Sequence, residues 1–227
     1  MAESSGKVTT KADHINSRTI VLIQTGGTID KDYPKGTGGY AFDISDHPAS
    51  ARILDRLPVH YSIIARGEGG IQLTQTPPSP RVAAGEEGET SEFRYAVDGV
   101  LRKDSQEITE ADRQTLANEC RALHRLGYRR IVITHGTDTM IRTARYLAEL
   151  SQQTLSELEG LVVVVTGARQ PERLKDSDAD FNVGMAIGAA QCLSADGGIA
   201  VYIAMSGQVI PAEKAARTAD GKFIRED

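Results

Sequence analysis

"RTIVLIQT", residues 18–25, decides the fold. β-Branched and aliphatic residues fill it without the polar alternation of a strand that has one wet face. A strand of this kind is buried on both sides, as in a parallel sheet covered by helices. The run stops abruptly at Gly26-Gly27-Thr28. Such a turn can cradle a phosphate, hold a hydroxyl up for chemistry, or reverse the chain.

The pattern repeats downstream. A short helix is expected around "HPASARILDRL" (47–57), a strand around "VHYSIIAR" (59–66), and extended chain at "FRYAVDGVLRK" (93–103). Thr109 with Asp112 three residues on resembles a capping box. Leu116, Cys120, Leu123 and Leu126 follow at helical spacing, and Gly127 is placed to end that helix. Next come a strand "RRIVIT" (129–134), a helix "IRTARYLAEL" (141–150) and a strand "LVVVVTGA" (161–168). A helix "ADFNVGMAIGAAQCL" (179–193) and a strand "GIAVYIAM" (198–205) complete the series. Buried strands alternating with amphipathic helices predict an α/β fold, an open, doubly wound, mostly parallel sheet with helices on both faces.

One domain is expected over residues 18–215, after a solvated N-terminal tail at 1–17. A Pro/Gly-rich insertion at 67–92 reads as a surface excursion, and 216–227 as a polar C-terminal tail. With 26 basic and 31 acidic residues the net charge is −5, which argues against a nucleic-acid partner. The longest apolar stretch, 161–165, is far too short to span a bilayer, so no membrane partner is expected. Cys120 and Cys192 form no C-x-x-C pair, and the N-terminus lacks the apolar core of a secretory signal. Both features fit a cytoplasmic protein.

Ligands of open α/β sheets bind beyond the carboxyl ends of the strands. Three strand ends here carry small or hydroxyl residues: "TGGT" (25–28), "THGTDT" (134–139) and "TGARQP" (166–171). The first lacks the G-x-G-x-x-G spacing and the G-K-[ST] ending of nucleotide loops. In the second, Asp138 stands just before a helix, where it can cap that helix, serve a ligand, or do both. The histidines His14, His47, His60, His124 and His135 show no metal-ligand spacing.

Together "TGGTI", "DSQEIT" (104–109), "THGTDT" and "GARQPERLKDSDADFN" (167–182) resemble the bacterial-type L-asparaginase (asparaginase/glutaminase) family. The resemblance runs from residue 18 to about 215, apart from the 67–92 insertion. It implies the family's N-terminal α/β domain and hydrolysis of L-asparagine to L-aspartate and ammonia, without metal or organic cofactor. Thr28 matches the nucleophile. Thr137 and Asp138 match a threonine and an aspartate that act with a lysine, for which Lys214 is the match across a one-residue gap, with Arg217 nearby. Tyr40, on a glycine-rich loop, fits the family's lid tyrosine better than Tyr33. Ser105 would bond the substrate's α-carboxylate, while Asp104 and Asp138 would meet its α-ammonium.

Family members usually continue into a second domain that serves a neighbouring subunit. The resemblance therefore implies a short form, working as a homodimer or homotetramer. Glutamine or another amide is an alternative substrate, and a non-catalytic amino-acid-binding or regulatory domain is a reading of a different class.

Overall fold

The computed structural model describes residues 16–32, 43–67, 70–75, 94–153 and 158–227. In chain order the strands begin with β1 (Thr19–Gly26), β2 (Lys31–Asp32) and β3 (Asp43–Ile44), followed by helix α1 (Ala49–Leu54). Then come β4 (Tyr61–Gly67), β5 (Gly70–Gln75), β6 (Arg94–Lys103), α2 (Glu110–Arg125), β7 (Arg130–Thr134) and α3 (Met140–Gln153). The rest is β8 (Leu161–Thr166), α4 (Ala179–Cys192), β9 (Ile199–Met205), β10 (Gln208–Pro211), β11 (Ala215–Arg217) and β12 (Phe223–Arg225).

Eight strands form one sheet in the order β10-β9-β8-β7-β1-β6-β4-β5. The six inner strands are parallel, and β5 and β10 are antiparallel edges. Every residue of β1 is buried. Because side chains alternate across a strand, its apolar run feeds two cores. Val21 and Ile23 pack with Leu116, Cys120 and Leu123 of α2 and with Met140, Ala144 and Leu147 of α3. Ile20 and Leu22 join Ala49 and Leu54 of α1 and Val183, Ala186 and Ala190 of α4 on the opposite face. The doubly wound α/β architecture is the one expected.

Helix α2 starts as its sequence dictates. The Thr109 hydroxyl accepts from the Asp112 N–H at 3.2 Å, and the Asp112 carboxylate accepts from the Thr109 N–H at 2.8 Å. Elsewhere two stretches depart from expectation. Residues 70–75, assigned to the insertion, pair along β4 as an edge strand. The C-terminal stretch is no tail: β11 and β12 form an antiparallel ribbon, and Phe223 is fully buried against the α2–α3 core. Three-residue strands are too short to carry a readable period, so one buried aromatic fixes what polarity concealed. The rest of the insertion at 76–92 and residues 1–15 lie outside the described residues. Among the described residues no helix is long and apolar enough to cross a membrane.

Candidate active site at the carboxyl rim of the sheet

The chain leaves β1 for β4, returns to fill the gap with β6, and then crosses to β7 on the other side of β1. The winding therefore changes direction around β1, and the crevice expected at such a switch point opens beyond the carboxyl ends of β6, β1 and β7. The turns that follow these strands carry Asp104-Ser105, Gly27-Thr28 and Gly136-Thr137-Asp138.

These turns touch backbone to backbone. Gly27 has φ +82°, and a Cβ built on it would lie 2.3 Å from both Cα and N of Gly136. A Cβ on Gly136 would lie 2.6 Å from the Ser105 Cβ. The Gly27 N–H donates to the Lys103 carbonyl at 2.9 Å, which ties the β1 turn to the end of β6. Glycine is required at 27 and 136 by space, and at 27 also by the left-handed backbone. The chain then enters a single 3₁₀ turn, Thr28–Asp30, in which Ile29 and Asp30 are buried and Thr28 is half-buried.

The rim is charged in alternating signs. One oxygen of Asp138 accepts from the Arg217 guanidinium at 2.8 Å, and the other accepts from the Gln106 amide at 2.9 Å. Arg217, with Gln106 behind it, holds the Asp138 carboxyl below the usual range. Lys31 Nζ lies 2.9 Å from Asp104 Oδ2 and lowers that carboxyl too. Asp104 also caps the short turn 105–107, accepting from the Gln106 N–H. Ser105 is buried, and its carbonyl accepts from the Thr139 hydroxyl at 2.6 Å, joining the β6 turn to the entry of α3.

Beneath the rim, His135 is fully buried. Its Nδ1–H donates to the Gly136 carbonyl at 2.8 Å, so Nε2 is the acceptor for the Thr143 hydroxyl at 3.0 Å. Burial pushes its pKa down to about 4, which keeps the ring neutral. On the other side of the sheet Asp30 is buried, accepting from the Ala49 N–H at the start of α1 at 2.7 Å. Burial pushes its pKa up to about 6. The loop after β8 is strapped below the Thr28 turn: the Glu172 N–H donates to the Ile29 carbonyl at 3.1 Å. The Glu172 carboxylate accepts from Arg52 Nε at 2.6 Å and also from Arg56.

Of the residues expected from the sequence, Thr28, Asp104, Ser105, Thr137 and Asp138 are gathered on one rim by these turns. Lys214 is not among the groups bonded there. Its backbone carbonyl accepts from the Glu226 N–H, and its ammonium forms no ion pair among the described residues. The cation that reaches Asp138 is Arg217, whose guanidinium also lies over the Phe223 ring at 5.9 Å from its centroid. Tyr40 and Tyr33 lie outside the described residues. Gln106 and Lys31 were not singled out by the sequence. Both were within reach of inspection, as Gln106 follows Ser105 directly and Lys31 stands one 3₁₀ turn after Thr28.

The model of the family described as "Asparaginase, N-terminal" matches residues 19–223. The chain belongs to the asparaginase family. Among solved structures, L-asparaginase I from Vibrio cholerae superposes with a TM-score of 0.62 at 20% identity, covering 92% of this chain and 51% of that one. The thermostable L-asparaginase from Thermococcus kodakarensis gives 0.55 at 19% identity, with 91% and 51% covered. A probable cytoplasmic L-asparaginase from Campylobacter jejuni gives 0.56 at 20% identity, again over 91% and 51%. At these identities the likeness is one of fold. The asparaginase-family chain spans about half the length of the solved structures it resembles. No curated protein matches it.

Proposed function

We propose that the chain is an amidohydrolase that converts L-asparagine to L-aspartate and ammonia through an ester on Thr28. The observation that carries this reading is the gathering of Thr28, Ser105, Thr137 and Asp138 on one rim, in turns packed so tightly that Gly27 and Gly136 admit no side chain. Such packing fixes the backbone that carries these hydroxyls and carboxylates, and a misplacement of about 1 Å can cost about 10²-fold in rate.

Roles follow from chemistry. The Thr28 hydroxyl attacks the side-chain amide, ammonia leaves, and water releases aspartate from the ester. Ser105 takes the α-carboxylate, and Asp104 and Asp138 take the α-ammonium. Thr137 completes the polar wall opposite Thr28. The oxyanion is met at the entry of α3, where a helix N-terminus favours developing negative charge. A loop tyrosine, Tyr40 in preference to Tyr33, closes over the substrate. The family's lysine is supplied in sequence by Lys214, but Arg217 is the residue that stands against Asp138. A homodimer or homotetramer would shield the open rim, and a cytoplasmic location agrees with two unpaired cysteines.

Arg217 also supports a second reading, a binding domain without turnover, because a guanidinium cannot accept a proton at neutral pH. One experiment separates the two. Ammonia release is measured from asparagine and glutamine with the wild type and Thr28→Ala, with circular dichroism as the check on folding. Release from asparagine that Thr28→Ala abolishes establishes the amidohydrolase, and the glutamine rate sets its selectivity. Binding of asparagine by the wild type without release establishes the binding domain.

A further inference from the structure

An acyl transfer from Thr28 needs a group that takes the hydroxyl proton, since a threonine hydroxyl is a weak nucleophile at neutral pH. The groups around the 3₁₀ turn can be tried in order. His135 is buried with both ring nitrogens committed, one to the Gly136 carbonyl and one to the Thr143 hydroxyl. Arg217 carries a guanidinium, which has donors and no acceptor. Asp138 is paired with Arg217 and accepts a hydrogen bond from Gln106, which leaves a weak base. Asp30 is turned away, its carboxylate capping α1 at Ala49. Asp32 is held by Arg173.

Lys31 remains. Its N–H donates to the Thr28 carbonyl, closing the 3₁₀ turn. In a 3₁₀ turn side chains three residues apart eclipse, so Lys31 and Thr28 leave the chain on the same side. The Lys31 side chain is 29% exposed, and its ammonium lies 2.9 Å from Asp104, on the rim that carries Thr28. Asp138 also feels its charge.

We infer that Lys31 is the proton acceptor for Thr28 and that Asp104 gates it, an assignment that rests on the amidohydrolase reading. Before substrate binds, Asp104 pairs with the Lys31 ammonium. The substrate brings a second ammonium to the same carboxylate. Asp104 can neutralise only one, so Lys31 is displaced and gives its proton to water. Its free amine then takes the Oγ1 proton as Oγ1 bonds to the amide carbon. The tetrahedral intermediate collapses, the C–N bond breaks, and the Lys31 proton leaves on the nitrogen as ammonia. Water next attacks the ester with its proton going to Lys31, the C–O bond to Thr28 breaks, and Oγ1 recovers that proton. When aspartate leaves, Lys31 returns to Asp104 and regains from water the proton it gave up, so the sum is asparagine plus water to aspartate plus ammonia.

The test uses the full chain and two variants, Lys31→Met and Lys31→Arg. Both should lower kcat for ammonia release by about 10²–10⁴-fold. Lys31→Arg keeps the ion pair with Asp104 but cannot accept a proton, so it separates base chemistry from charge. KM for asparagine should not rise in Lys31→Met, since the competitor for Asp104 is gone. Wild-type kcat should increase with pH along a limb that both variants lack, and ethylamine added to Lys31→Met should restore part of the rate. If Lys31→Arg turns over within about tenfold of wild type, below the range a general base supplies, or the loss lies in KM and resists amine rescue, Lys31 is not the base. A wild type that releases no ammonia overturns the amidohydrolase reading and this assignment with it. An active wild type with active Lys31 variants overturns the assignment alone.

Discussion

Asp30 and His135 impose opposite pH dependences on the stability of the fold, and removing one exposes the other. The Asp30 carboxyl titrates near 6 in the fold against 3.8 when solvated, because burial disfavours its charge. Between those values the folded chain holds a proton that the unfolded chain has lost, so stability falls as pH rises from about 4 to about 6. At 1.36 kcal/mol per unit of pKa difference, the loss is about 3 kcal/mol. His135 titrates near 4 in the fold against 6.5 when solvated. Here the unfolded chain takes the proton first as pH falls, so stability rises by about 3 kcal/mol between roughly pH 4 and 6.5. The two slopes nearly cancel in the wild type.

Asp30→Asn keeps an oxygen for the Ala49 N–H and removes the charge, leaving the His135 slope unopposed. Urea unfolding followed by far-ultraviolet circular dichroism at several pH values between 4 and 7 measures this. The stability difference, variant minus wild type, should climb by about 3 kcal/mol across that range whatever the other groups do. His135→Gln should give the mirror image, losing a similar amount against wild type over the same interval. A difference that stays constant with pH for both variants would refute the reasoning, because it would mean that neither buried group changes its affinity for protons on folding.

Three other substitutions probe the parts that hold the site. Gly27→Ala places a methyl carbon 2.3 Å from the Gly136 backbone at a φ of +82°; it should cost more than about 3 kcal/mol, seen as a large fall in the urea midpoint together with lost ammonia release. Arg52→Met leaves Glu172 buried with Arg56 as its remaining partner, and the broken pair should cost about 3–5 kcal/mol in the same unfolding experiment. Arg217→Gln frees Asp138, whose carboxyl should move up toward the usual range. Because Asp138 must be ionised to hold an ammonium, the acid limb of kcat/KM for asparagine should move to higher pH. Stability should change little, as Arg217 is exposed.

How far the sequence revealed this site depended on what kind of signal each residue leaves. β1, β7 and β8 could be read because their aliphatic runs must be buried on both faces, and a parallel sheet then places their carboxyl ends on one rim whatever the side chains there. Thr28, Thr137 and Asp138 were legible as polar residues in the glycine-bearing turns at those ends, and Ser105 only through the family resemblance. Arg217 was not. It is carried by a three-residue strand held down by Phe223, in a stretch whose polarity reads as solvated chain. Its position depends on a contact 79 residues away in sequence, with Asp138. Lys31 was obscured for a different reason: next to two aspartates it looks like an ordinary solvated charge, and only the fold brings its ammonium to Asp104 on the rim. The legible half of the site comprises the hydroxyls and acids that strand ends display. The illegible half comprises the cations that balance them, since long side chains reach the rim from wherever tertiary packing leaves room. Those cations hold the Asp138 and Asp104 carboxyls below their usual range. The chemistry of the rim is therefore decided by the residues that the strand pattern does not mark.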